Sequence, residues 1–115
     1  MTVFRGISLS AHGAVEILLG LATMVAPFLF GFSTAGAIAA LLIGMTLVGA
    51  ALSTVDARSI NVAALHAFDH AVAIAILGAA LALGILAGDR HATAYLAAVA
   101  VAQLGLNMST RYTAA

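Results

Sequence analysis

Two short clusters hold most of the side chains in this sequence that could do chemistry. His12 and Glu16 stand four residues apart, and His66, Asp69 and His70 fall close together further on. Imidazole and carboxylate groups ligate transition metals, and imidazole moves protons near neutral pH. Three chemistries fit this set. His12 with His66 or His70 is a pair that could grip a haem b at both axial positions. Glu16, His66, Asp69 and His70 are a donor set for a divalent metal ion. A chain through Glu16, the histidines and Asp69 could instead carry protons or ions. Against these stands simple pairing, Glu16 with His12 or His70 and Asp69 with Arg58 or a histidine. That would only select which helices pack together, at about 0.6 kcal/mol per interhelical bond.

The elements that hold these groups are dictated by composition. Hydrophobic residues make up 64% of the 115 residues and charged residues only 7%. A soluble domain carries roughly 25% charged residues, so this chain cannot cover a water-facing surface. It reads as a small integral membrane protein. The formal net charge is zero and lysine is absent, which excludes nucleic acid as a partner. Cysteine is absent too, which removes disulfides, thiolate metal sites and a cysteine nucleophile.

Four runs approach the roughly 20 apolar residues that a span needs, at residues 10–30, 35–52, 62–86 and 93–108. They are rich in Ala and Leu and lack period-two alternation, so they read as helices rather than barrel strands. The expected fold is therefore all-α: a single membrane domain over residues 1–115, built as a four-helix transmembrane bundle. The first run follows Arg5 but carries His12 and Glu16 and continues to Phe32, so it reads as a retained span rather than a cleaved leader. Short connections make consecutive helices antiparallel neighbours. Both termini and the 53–61 loop then share one side, with Arg5, Arg58 and Arg111, against Arg90 opposite. That asymmetry predicts both termini in the cytoplasm.

In this arrangement His12, Glu16, His66, Asp69 and His70 lie near the start of the odd helices. Ser53, Thr54, Gln103 and Asn107 reach similar depth from the ends of the even ones. The polar set is one-sided. Beyond it the opposite half offers little except Thr23 and Thr46, which weighs against a complete proton path. His12-x-x-x-Glu16 and His66-x-x-x-His70 open the first and third helices at the same phase. A duplicated hairpin would relate them by an axis along the membrane normal.

Lipid is as apolar as leucine, so helices in a bilayer associate by close approach at small residues. Gly36, Ala40 and Gly44 form such a stripe on the second helix and are the expected contact face. Ala71, Ala75 and Ala79 on the third helix, and Ala94, Ala98 and Ala102 on the fourth, repeat the spacing. His91 reads as a solvated loop residue, and Tyr95 and Tyr112 as interface aromatics at opposite ends of the fourth helix.

The segment Leu19-Gly-Leu-Ala-Thr-Met-Val-Ala-Pro-Phe-Leu-Phe-Gly-Phe-Ser33, followed by Leu42-Ile-Gly44, resembles the bacterial SPW-repeat membrane proteins. Their repeat is a helical hairpin with a Leu-Gly-Leu start, a Ser-Pro-Trp turn and a Gly-Phe-Ser exit. The resemblance covers about residues 16–52. Ala26-Pro27-Phe28 stands at the Ser-Pro-Trp position, and the chain has no tryptophan. The resemblance implies a small multi-span bacterial membrane protein, with the inner membrane as its location, and carries over no catalytic residue.

No nucleophile with an acid–base partner is legible, so the chain reads as non-enzymatic. The expected role is an accessory or scaffold subunit in the lipid bilayer, packing against other membrane subunits or against itself. The alternatives are a haem- or metal-binding electron-transfer bundle and a proton or ion pathway.

Overall fold

A computed structural model of the chain describes residues 6–55, 62–110 and 112. Arg5, Asp56, Arg58, Asn61 and Arg111, which carry the charge asymmetry and the middle loop, lie outside the described residues, as does the side chain of Thr54. Four helices make up the fold: α1 (Leu9–Phe30), α2 (Thr34–Val55), α3 (Val62–Leu86) and α4 (Arg90–Ser109). Each contains a stretch long and apolar enough to cross a membrane.

Helix ends fall where capping chemistry is available. The Ser8 hydroxyl accepts from the backbone N–H of Ala11 and starts α1. At the far end Gly31 takes φ 66°, a left-handed conformation that lets its N–H and that of Phe32 fold back onto the Pro27 carbonyl. Pro27 does not break α1, which runs one turn past it. Helix α4 begins at Arg90 rather than near Thr93, because the Asp89 carboxylate caps the Ala92 N–H at 2.9 Å. The loop residues Asp89 and Arg90 are thus a cap and a first turn.

The four helices pack as two hairpins, α1 with α2 and α3 with α4. The hairpins meet along an α1–α4 seam and an α2–α3 seam, whereas the backbones of α1 and α3 barely approach. Closeness within the first hairpin rests on Gly20 and Gly44. A Cβ built on Gly20 would lie 2.8 Å from the Gly44 carbonyl, and one on Gly44 would lie 2.6 Å from the Gly20 carbonyl and collide with Met24. The Gly36–Ala40–Gly44 stripe is therefore a contact face turned inward: all three residues are buried, Gly36 against Asp89 and Ala92 and Gly44 against α1.

The interior carries a polar cluster at one end, while large apolar side chains point outward. Leu47, Ile76, Ala80, Leu96 and Val99 form the apolar core. Leu18, Phe28, Leu29, Ile74, Ile85 and Leu86 point outward and are exposed. His12, Glu16, Asp69, Gln103, Asn107 and Thr110 are fully buried. In water this distribution would leave a large unfavourable apolar surface. A bilayer accepts it.

Candidate functional site

The buried polar residues converge where α1 begins and α4 ends. These two ends are joined by the backbone bond from Ile7 N–H to the Ser109 carbonyl at 3.0 Å. His12 and Glu16, one helical turn apart, share the inward face of α1. Asp69 is the inward residue of the polar run on α3. Its neighbours are rotated off that direction, His70 by about 100° and His66, three residues earlier, by about 60°, and both are only half-buried. Gln103 and Asn107 lie on the inward face of α4, and Thr110 and Tyr112 continue past its end.

His12 is the hub. Its Nε2 lies 3.6 Å from Glu16 Oε1 and 3.3 Å from Asp69 Oδ2, and its Nδ1 lies 2.8 Å from Thr110 Oγ1. The Thr110 hydroxyl donates its own proton to the Leu106 carbonyl at 2.6 Å. Threonine therefore has no proton left for His12, so Nδ1 carries the hydrogen and donates to Oγ1. Gln103 Nε2 donates to Glu16 Oε2 at 2.8 Å and to Asn107 Oδ1 at 3.0 Å. The Tyr112 hydroxyl donates to Asp69 Oδ2 at 2.7 Å. One carboxylate on α1 and one on α3 are thus held by side chains from α4 and its extension.

Within this network several buried polar atoms have no hydrogen-bond partner: His12 Nε2, Glu16 Oε1, Asp69 Oδ1, Gln103 Oε1 and Asn107 Nδ2. One such atom costs about 1–3 kcal/mol, so their concentration in one place calls for a physical account. His12, Glu16 and Asp69 present ligand atoms that all lie within 4.8 Å of one another, close enough for one cation to reach all three.

The carboxylates expected at a metal, Glu16 and Asp69, do meet, but the imidazole between them belongs to His12. His66 and His70 instead meet edge to face with ring centroids 4.5 Å apart, and the His70 Nδ1–H donates to the His66 carbonyl. The Tyr112 ring contacts both His12, at 5.7 Å, and His66, at 4.2 Å. Axial haem ligation by His12 would require breaking its bond to Thr110 or its approach to the carboxylates, and a haem between His12 and His66 would displace Tyr112. For a proton path, the next buried polar side chain on α1 is Thr23, about 10 Å further along the axis, and its hydroxyl is turned back to the Leu19 carbonyl.

Two participants were not legible beforehand. Tyr112 reads from sequence as an interface aromatic, yet it folds back into the cluster. Thr110 lies just past the end of α4. Residues beyond a helix have no periodicity to place them, so the sequence carried no signal for either. Tyr95, also expected at the interface, is half-buried against Phe30 and Phe32. His91 is exposed.

No family model, curated protein or solved structure matches this chain.

Proposed function

We propose that this chain is a non-catalytic subunit of the bacterial inner membrane, with both termini in the cytoplasm, that joins further copies of itself or a larger membrane complex. The observation that supports this reading is the division of small residues between inside and outside. Gly20, Gly36, Ala40 and Gly44 are consumed in packing the chain on itself. Ala71 and Ala75 on α3, and Ala94, Ala98 and Ala102 on α4, face outward and are exposed. A Cβ built on Gly78 or Gly105 would meet nothing. Small outward residues let a second helix approach closely, which is what drives association where hydrophobic burial offers nothing. The resemblance to SPW-repeat proteins implies a small multi-span bacterial membrane protein and bears on the location alone.

The test is native mass spectrometry of the chain extracted in mild detergent at native abundance, beside an Ala98→Leu variant. The expected result is a defined oligomer or co-purifying subunit that is lost in the variant while the melting temperature holds. A wild-type chain that is monomeric and alone would overturn the reading.

A further inference from the structure

We infer that His12, Glu16 and Asp69 form a binding site for one divalent transition-metal ion of the Zn²⁺ type, which ties α1 to α3 across the bundle diagonal. A charge-assisted N–H···O⁻ bond runs about 2.7–2.9 Å. The approaches of His12 Nε2 to Asp69 Oδ2 and Glu16 Oε1 are 3.3 and 3.6 Å, too long for such bonds. Ligand atoms bound at roughly 2.0–2.2 Å around a tetrahedral ion stand about 3.4 Å apart. Both approaches to His12 Nε2 match the edge of such a polyhedron, and all three ligand atoms lie within 4.8 Å of one another.

With its hydrogen on Nδ1 and donated to Thr110, neutral His12 aims the Nε2 lone pair at two carboxylates. Lone pairs facing one another repel, and something positive must lie between them. A proton on Nε2 would leave one negative charge in the interior. Among the described residues the one arginine is Arg90, at the opposite end of α4. A divalent cation cancels both carboxylates, which removes the large cost of burying unpaired charge.

Metal-bound histidines donate their second N–H to a fixed acceptor, and bound carboxylates are hydrogen-bonded in turn. Here Thr110 holds His12, Gln103 holds Glu16 and Tyr112 holds Asp69. All three holders come from α4 and the residues after it, while all three ligands come from α1 and α3. The unpaired Gln103 Oε1 is a further acceptor on a residue already in this shell. An imidazole with two carboxylates selects an ion such as Zn²⁺ over Mg²⁺ or Ca²⁺, which prefer six or more oxygens.

The test uses the full chain in detergent, stripped with chelator, then equilibrated with Zn²⁺, Mg²⁺ or Co²⁺ and freed of excess. Elemental analysis should give one Zn²⁺ per chain and no retained Mg²⁺, and Co²⁺ should give the intense visible bands of a tetrahedral site. Asp69→Asn should weaken Zn²⁺ binding at least tenfold, and Thr110→Val by about 10- to 100-fold. His70→Gln should leave binding unchanged. Helical content and a single elution peak establish that each protein is folded, and Thr110→Val carries the test if Asp69→Asn does not fold. A folded wild-type chain that retains no Zn²⁺ overturns the inference. So does a folded Asp69→Asn and Thr110→Val pair that binds like wild type, or a His70→Gln variant that loses the ion.

Discussion

Asp89 Oδ2 accepts from both the backbone N–H of Ser33, at 2.8 Å, and the Ser33 hydroxyl, at 2.6 Å. The other Asp89 oxygen caps α4 through the Ala92 N–H, while Ser33 Oγ accepts from the Gly36 N–H at 3.0 Å and caps α2. A single carboxylate therefore fastens the starts of two helices from different hairpins, at the end of the bundle opposite the polar cluster. Gly36 is part of the same contact, since a Cβ there would collide with Asp89.

Removing that carboxylate removes a cap and an interhairpin clasp together. Replacing an N-cap aspartate by alanine costs about 0.5–2 kcal/mol by itself. Asp89→Ala should lie at or above the upper end of that range, because Ser33 loses its acceptor as well. The check is thermal unfolding followed by circular dichroism, where a fall of several degrees is expected. A melt equal to wild type would show that the clasp contributes nothing.

The same group predicts a pH dependence. Burial raises the Asp89 pKa, but hydrogen bonds from the Ser33 hydroxyl, the Ala92 N–H and the Ser33 N–H, with a charge contribution from His91, more than offset it. The result lies below the ordinary 3.8. A folded-state pKa lower than the unfolded one stabilises above the unfolded value, and the gain is lost as pH falls through the folded value. The difference in melting temperature between wild type and Asp89→Asn should be constant above about pH 5 and shrink below about pH 4. A difference that grows on acidification would give the opposite sign.

Gly44→Leu should destabilise the chain itself, before any question of partners. The added side chain meets the Gly20 carbonyl and Met24, both in α1, and backbone on a packed helix yields only by separating the hairpin. Overpacking of this kind costs about 1–3 kcal/mol. Denaturant titration in detergent should show a lower midpoint, whereas Ala98→Leu on the exposed face of α4 should stay within about 0.5 kcal/mol of wild type.

Gln103→Leu separates two magnitudes. An average polar bond between membrane helices contributes about 0.6 kcal/mol. Stranding a buried carboxylate that accepts a hydrogen bond costs more, about 1.5–3 kcal/mol. The Glu16 carboxylate is fully buried and takes its one hydrogen bond from Gln103, so the larger figure should govern. Gln103→Leu combined with Glu16→Leu should recover part of the loss, and a double-mutant cycle of thermal melts reads that recovery directly.

The sequence by itself determined that four apolar helices build this chain, because length, hydropathy and capping residues act locally and survive in any arrangement of the helices. It also placed the polar side chains at one end, since antiparallel neighbours with short loops bring the starts of α1 and α3 level with the ends of α2 and α4. Helical phase was enough to put His12 beside Glu16. Which side chains then meet was a matter of helix rotation and pairing, and an Ala-rich, nearly uniformly apolar helix gives almost no phase signal of its own. Only the tertiary structure made Asp69, rather than His66 or His70, the inward residue of α3. It alone turned the Gly36–Ala40–Gly44 stripe inward and left the alanines of α4 outside. Past the end of α4, it brought Thr110 and Tyr112 back onto His12 and Asp69 through contacts between residues some forty to a hundred positions apart, which no local spacing rule encodes.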